Sequence, residues 1–251
     1  MELAEYDRLR ALEDGHWRFR GVRALLREAI GRFAPARAPL RVLDAGCGTG
    51  GTAAALSDLG LVVGVDAHPR ALHGCRARGL GALARADVQS LPFAEAVFDV
   101  VVSVDVLYHR AVRDDAAALA ELARVCRPRG VVLLLLASYE WMRSAHDVVV
   151  HTERRYTRRR VREFARRAGL VPERITYWST TLFPAAAAYR LLWRGEENAD
   201  SDLGRPSSVL NALLSALLAA EATLALRVPL PFGLSVFAVL RRPDAPEAGC
   251  G

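Results

Sequence analysis

The segment RVLDAGCGTGGT, residues 41–52, constrains this chain more than any other: an apolar run ends in Asp44 and passes directly into Gly46, Gly48 and Gly50. Glycine is required where a backbone turns tightly and lets a ligand approach with no Cβ in the way. A strand-to-loop junction of this kind belongs at the carboxyl edge of an open α/β sheet, where ligands bind, and it implies a nucleotide-type ligand. The next apolar run, LVVGVD, ends in Asp66, a position from which a carboxylate accepts hydrogen bonds from ribose hydroxyls. Gly46, Gly48 and Gly51 also satisfy G-x-G-x-x-G, so the loop alone leaves a nicotinamide dinucleotide open.

From Leu40 onward, β-rich runs alternate with helical patterns, which predicts parallel strands joined by helical crossovers. Strands are expected at 40–45, 61–66, 81–86, 97–104, 130–137, 173–180 and 233–242, several of them apolar on both faces as in a sheet covered on each side. Helices are expected at about 50–59, 69–78, 114–127, 157–168, 184–194 and 207–226, with Asp114 and Thr157 as N-terminal caps. These make a single α/β domain over residues 1–242. Residues 1–39 form a helical cap, 181–232 a helical insertion before the last strand, and 243–251 a flexible tail.

All 34 basic residues are arginine and the net charge is +6. An arginine-only, alanine-rich composition follows from GC-rich codons, so the charge is weak evidence for a polyanionic partner. The aromatics that single-strand binding interleaves are sparse, and nucleic acid is not expected. Cys47, Cys75, Cys126 and Cys250 stand far apart and lack zinc-ligand spacing, so no metal is expected and the thiols read as free. The start, MELAEYDRLRALEDGHW, lacks the basic head and apolar core of a secretory signal, and the expected compartment is the cytoplasm.

Asp44-Ala-Gly-Cys-Gly-Thr-Gly, Val-Asp66, Ala-Asp87-Val88 followed by LPF, Phe98-Asp99-Val-Val-Val-Ser, and ELARVCRPRG (121–130) stand in an order that resembles the successive motifs of class I S-adenosylmethionine-dependent methyltransferases. The resemblance implies a Rossmann-like seven-stranded sheet with the last strand antiparallel, in agreement with the strands placed at 173–180 and 233–242. It also implies that Gly46, Cys47, Gly48 and Gly50 lie along S-adenosylmethionine, that Asp44 holds its methionine portion, that Asp66 and Ala67 meet the ribose, and that Asp87 and Val88 meet the adenine. Arg129 departs from the family, which more often has glycine there.

The implied reaction is in-line methyl transfer to a small-molecule acceptor, acidic or amphiphilic, with no metal. His109, after the fourth strand, is the candidate general base, or else a positioning histidine. The stretch SAHDVVVHTERRYT resembles an H-x-R-R-Y-T-like element of a bacterial methyltransferase subgroup, from which Glu153 departs. It puts His151, Arg154, Arg155 and Tyr156 forward as substrate-binding residues, with Arg154 or Arg155 clamping an acidic group. Trp17 is a candidate for closing the pocket, or else a core aromatic. The arginines of the 157–168 helix read as a solvated face.

In the 207–226 helix, Leu210, Leu213, Leu214, Leu217, Leu218 and Leu224 form one apolar stripe with Glu221 near its centre. A buried charge needs a partner. The expected arrangement is packing as part of a substrate lid, with Glu221 paired to an arginine; a homodimer contact and a peripheral membrane contact are the alternatives. Asn211, Ser215, Glu221 and Thr223 argue against crossing a bilayer. Two other functions stay open: a nicotinamide-dependent oxidoreductase, disfavoured by Asp87-Val88 and ELARVCRPRG, and a non-catalytic cofactor-binding interaction protein.

Overall fold

The structure, a computed structural model, describes residues 3–192 and 206–244. Residues 193–205 of the expected insertion, and 245–251 of the expected tail with Cys250, lie outside the described residues. The chain opens with helices α1 (Leu3–Leu12) and α2 (Trp17–Phe33) and enters β1 (Leu40–Ala45). It continues through α3 (Gly51–Ala55), β2 (Gly60–Asp66), α4 (Pro69–Arg76), β3 (Leu83–Arg85) and β4 (Phe98–Val104). Helix α5 (Asp115–Val125), β5 (Cys126–Ala137), α6 (Ala145–Val149), α7 (Arg158–Arg167), β6 (Val171–Trp178), α8 (Phe183–Leu192), α9 (Ser208–Arg227) and β7 (Ser235–Arg241) complete it.

The strands form one seven-stranded sheet in the order β3-β2-β1-β4-β5-β7-β6, with β7 antiparallel to both of its neighbours. Strands β4 and β5 lie near the centre because their apolar side chains can be buried on both faces. One face carries a core built on Leu119, Leu122, Val161 and Phe164 of α5 and α7. The other is packed by Leu25, Leu26 and Ala29 of α2 together with Leu218, Ala222 and Ala225 of α9.

Several bounds move. The expected strand at 81–86 shrinks to Leu83–Arg85, and the helix at 50–59 ends at Ala55 before a 3-10 turn over Ser57–Leu59. Helix α5 stops at Val125 instead of running to residue 127, because Cys126 is already paired with Phe98. Arg129 has φ 62°, a left-handed conformation that explains why glycine suits that position. Asp99, 2% exposed, serves the sheet: it accepts from the Arg41 N–H at 2.8 Å and is paired with Arg127 at 2.6 Å.

Helix α9 corrects two expectations. Of its expected stripe, Leu218 is buried, but Leu210, Leu213, Leu217 and Leu224 point outward. Glu221 is buried and accepts from Thr180 N–H at 2.8 Å, Thr181 N–H at 3.0 Å and Thr181 Oγ1 at 2.7 Å, in place of the expected arginine. Two backbone donors at the end of β6 and a hydroxyl satisfy the carboxylate without a countercharge.

Candidate functional site

A cavity of about 410 Å³ opens at the carboxyl ends of β1, β2 and β4, beneath α1 and α2. Its floor is the glycine loop. Gly46 and Cys47 N–H groups donate to Val65 O at 2.7 and 2.8 Å, which turns the chain sharply off β1 and onto the tip of β2. Gly46, Gly48 and Gly50 have φ of 85°, 54° and 88°, values that L side chains resist. A Cβ on Gly46 would lie 2.2 Å from Val106 Cγ2, whereas one on Gly48 would meet only Leu9 Cδ2, at 3.6 Å, and would occupy the cavity side instead.

Asp66, Asp44 and Asp87 line the cavity. Asp66 is pinned: Oδ2 accepts from Gly48 N–H at 3.0 Å and Oδ1 from His68 N–H at 2.8 Å. Burial raises its pKa against those two hydrogen bonds. Asp44 is 2% exposed, and burial, with Asp66 and Glu13 nearby, raises it from 3.8 to about 7. Its Oδ2 has no hydrogen-bond partner. A buried carboxylate oxygen left in this state on a cavity wall is suited to a cationic or N–H-bearing ligand group. Asp87, with Val88 beside it, lines the cavity beyond β3.

The helical cap expected over residues 1–39 supplies the cover, through residues that the sequence does not single out. Tyr6, Leu9 and Glu13 of α1 and its end line the cavity, with Arg18 and Phe19 from α2. Tyr6 stacks on His68 at 4.9 Å between ring centroids, and burial, then Asp66, pushes its hydroxyl up to about 12. Buried Glu13 accepts from Thr49 Oγ1 in the glycine loop and pairs with Arg78 at 2.5 Å; Arg78 Nε also donates to Thr49 O at 2.9 Å. Arg18 pairs with Asp105 at 2.9 Å across the mouth. The spacing Tyr6, Leu9, Glu13 is one helical face and could have signalled the contact.

The expected cofactor residues Asp44, Gly46, Cys47, Gly48, Asp66, Ala67, Asp87 and Val88 all line the one cavity; Gly50 sits just behind it as the cap of α3. Cys47 Sγ lies 3.6 Å from Cys75 Sγ, and this contact with burial keeps the Cys47 thiol protonated. His109 also lines the cavity. Burial lowers it from 6.5 to about 4, and its Nδ1 accepts from Ala111 N–H at 3.1 Å.

The remaining expected substrate residues are corrected. Arg155 is buried and forms a bidentate pair with Asp147, Nε donating to Oδ1 at 3.0 Å and Nη2 to Oδ2 at 2.7 Å, with Nη1 donating to Ser138 O, so its guanidinium is committed to the connection after β5. Arg154 donates to Val112 O at 2.8 Å, behind the cavity wall. Tyr156 is fully buried and donates to Asp115 at 2.8 Å; burial and Asp115 raise its pKa. His151 sits behind His109, 5.6 Å between ring centroids, and does not line the cavity. Trp17 packs into the α2–α9 core while its neighbours Arg18 and Phe19 take the cavity side.

A family model described as a methyltransferase domain matches residues 43–134, which span the glycine loop through β5. An uncharacterized methyltransferase of Mycolicibacterium gilvum is 32% identical over 159 residues, 61% of this chain and 60% of its own. The chain spans about half the length of the curated relatives it matches. Among solved structures, a chain from the complex between the Haloferax volcanii Trm112 methyltransferase activator and a methyltransferase aligns over 97% of this chain and 96% of its own, with TM-score 0.63 and 22% identity. An S-adenosylmethionine-dependent methyltransferase of Thermotoga maritima aligns over 96% and 95%, with TM-score 0.60 and 18% identity. These structural likenesses show a shared fold.

Proposed function

We propose, for a chain whose residues 43–134 belong to the methyltransferase domain family and whose fold is that of the class I methyltransferases, that it transfers a methyl group from S-adenosylmethionine to a small-molecule acceptor. The observation that carries this reading is Asp44: a buried carboxylate with an unpartnered oxygen, on the cavity wall beside a glycine loop whose backbone is open to a ligand. In this reading Asp44 holds the ammonium end of the cofactor, Gly46 to Gly48 run beside it, Asp66 accepts from the ribose, and Asp87 and Val88 meet the adenine. The cofactor supplies a methyl group on a positive sulfonium, open to in-line attack by a nucleophile.

What remains for the protein is to bind, orient and exclude water. Phe19 and Val22 from α2, with Val106, Tyr108 and Val112 after β4, give the acceptor end an apolar wall, and Arg18 with Asp105 gives it one polar edge. That combination suits an amphiphilic acceptor better than a highly charged one. His109 is neutral at pH 7 and held through Nδ1, so we assign it to orienting the acceptor. Residues 1–242 act as one domain in this account.

The test is incubation of the purified chain with methyl-labelled S-adenosylmethionine and an extract of the source organism, followed by identification of the labelled product. A labelled small molecule supports the reading. Label found only in protein or nucleic acid contradicts the acceptor class. The Haloferax structure makes a second arm worthwhile, with and without a candidate activator protein.

A further inference from the structure

Helix α9 carries apolar side chains on two opposite sides, and the fold buries only one of them. Leu218, Ala222, Ala225 and Leu226 are buried against α2 and β6. Val209, Leu213, Leu217 and Leu224, on the opposite side, are 69%, 63%, 40% and 51% exposed. An outward apolar face of this length needs something to cover it. The face also lacks negative charge, because the helix's one acidic residue, Glu221, is turned inward onto Thr180 and Thr181. Helix α8 has no acidic residue and exposes Leu191 and Leu192.

Helix α7 lies against the same edge strand, β6, from the other face of the sheet. It exposes Arg159, Arg160, Arg162, Arg166 and Arg167, against one acid of its own, Glu163, which pairs with Arg159 at 2.9 Å, while Arg160 pairs with Asp115 of α5 at 3.3 Å. Arg158 Nη1 donates to Leu230 O at 3.1 Å and so ties the start of the basic helix to the loop that leaves the apolar one. An apolar helix face and a row of guanidiniums that flank one sheet edge can meet a lipid interface together, with leucines among acyl chains and arginines at headgroup phosphates.

From this pairing we infer that the β6 edge, with the outer face of α9 and the arginines of α7, is a docking surface for an anionic lipid bilayer. Charge complementarity selects this occupant over a second copy: headgroup phosphates match the arginines flanking the β6 edge, whereas a copy of this +6 chain would bring its own acid-free α9 face and no countercharge for them. The helix lies along the surface. It is long and apolar enough to cross a membrane by length and composition, but its inner side belongs to the core, and Glu221 fastens it to the end of β6. Asn211 accepts from Trp17 N–H at 2.9 Å, so the same surface sits beside the start of α2, which covers the cavity.

The experiment is flotation of the purified full chain with vesicles of equimolar phosphatidylcholine and phosphatidylglycerol, and with phosphatidylcholine alone, alongside light scattering in solution. The chain is expected to float with the anionic vesicles and far less with the neutral ones. Leu213→Asp with Leu217→Asp lowers vesicle partitioning by on the order of 100-fold, and Arg162→Glu with Arg166→Glu, on a solvated face that does not threaten folding, by about 30-fold. Failure to float with anionic vesicles overturns the inference. So does flotation indifferent to the leucine pair, or a solution dimer that the leucine pair dissociates. None of these outcomes bears on methyl transfer, which is read separately from labelled cofactor.

Discussion

The Gly48 N–H donates to Asp66 Oδ2 at 3.0 Å, and this bond fixes the tip of the glycine loop to the tip of β2. One carboxylate thus sets the loop and presents itself to the cavity. Asp66→Ala is expected to lower affinity for S-adenosylmethionine by roughly 10- to 100-fold, the worth of hydrogen bonds to a charged group, measured by titration calorimetry. An unchanged affinity would remove Asp66 from the ribose site.

Gly46 and Gly48 should fail differently. Gly46→Ala combines φ 85° with a Cβ placed 2.2 Å from Val106, so it should destabilise the fold by about 2–5 kcal/mol. Gly48→Ala meets only Leu9 at 3.6 Å and should cost about 1–2 kcal/mol in strain, yet it places a methyl where the cofactor backbone contact is proposed. Urea unfolding and cofactor titration of both variants separate these effects. The assignment fails if Gly48→Ala binds the cofactor normally.

Asp44 gives a pH dependence with a definite sign. Unfolded it titrates at 3.8 and folded at about 7, so the ligand-free fold binds an extra proton between those values. Its contribution to stability is complete below the lower value and is lost as pH rises through the upper one. A cation beside Asp44 favours the ionised form. Cofactor binding on the acid side of 7 should therefore release protons, detected as binding heats that vary with buffer ionisation enthalpy. Asp44→Asn should abolish that variation.

Glu13 and Arg78 are almost wholly buried, with side chains 8% and 9% exposed. Glu13→Ala removes one of the two carboxylates on Arg78, which keeps Asp14 at 2.7 Å, and unfastens the end of α1 from Thr49. A loss of about 1–3 kcal/mol in urea unfolding is expected, and no measurable loss would show that α1 is held by its apolar contacts alone.

For His109, burial places titration at about 4, so kcat/KM should show no inflection near 6.5 from this residue. His109→Gln is expected to raise KM and to lower kcat by less than about 10-fold, below the ~100-fold or more of general-base catalysis. A larger fall in kcat, with loss of an acid limb near 4, would assign it as the base.

The floor of the site was legible in the sequence because it is local: Asp44 to Gly48 and Asp66 to Ala67 are short runs at strand ends, and the period of the apolar residues fixes where those strands end. The cover was legible only as a helical cap over residues 1–39: the spacing of Tyr6, Leu9 and Glu13 marks one helical face, but their contacts with His68, Thr49 and Arg78 form only in the fold. Arg155 misled for a related reason, since only the folded connection shows that Asp147 occupies its guanidinium. In α9 the leucine period marks a helix but not its inward side, because Leu218, Ala222 and Ala225 supply enough apolar surface to pack against α2 while Leu213 and Leu217 face outward.

The most direct measurement is calorimetric titration of the purified chain with S-adenosylmethionine and, separately, with a nicotinamide dinucleotide. Saturable binding of the first that is weakened by both Asp44→Asn and Asp66→Ala, with no heat from the second, is the predicted result. Binding of the dinucleotide, with no response to the sulfonium compound, would contradict the account at its base.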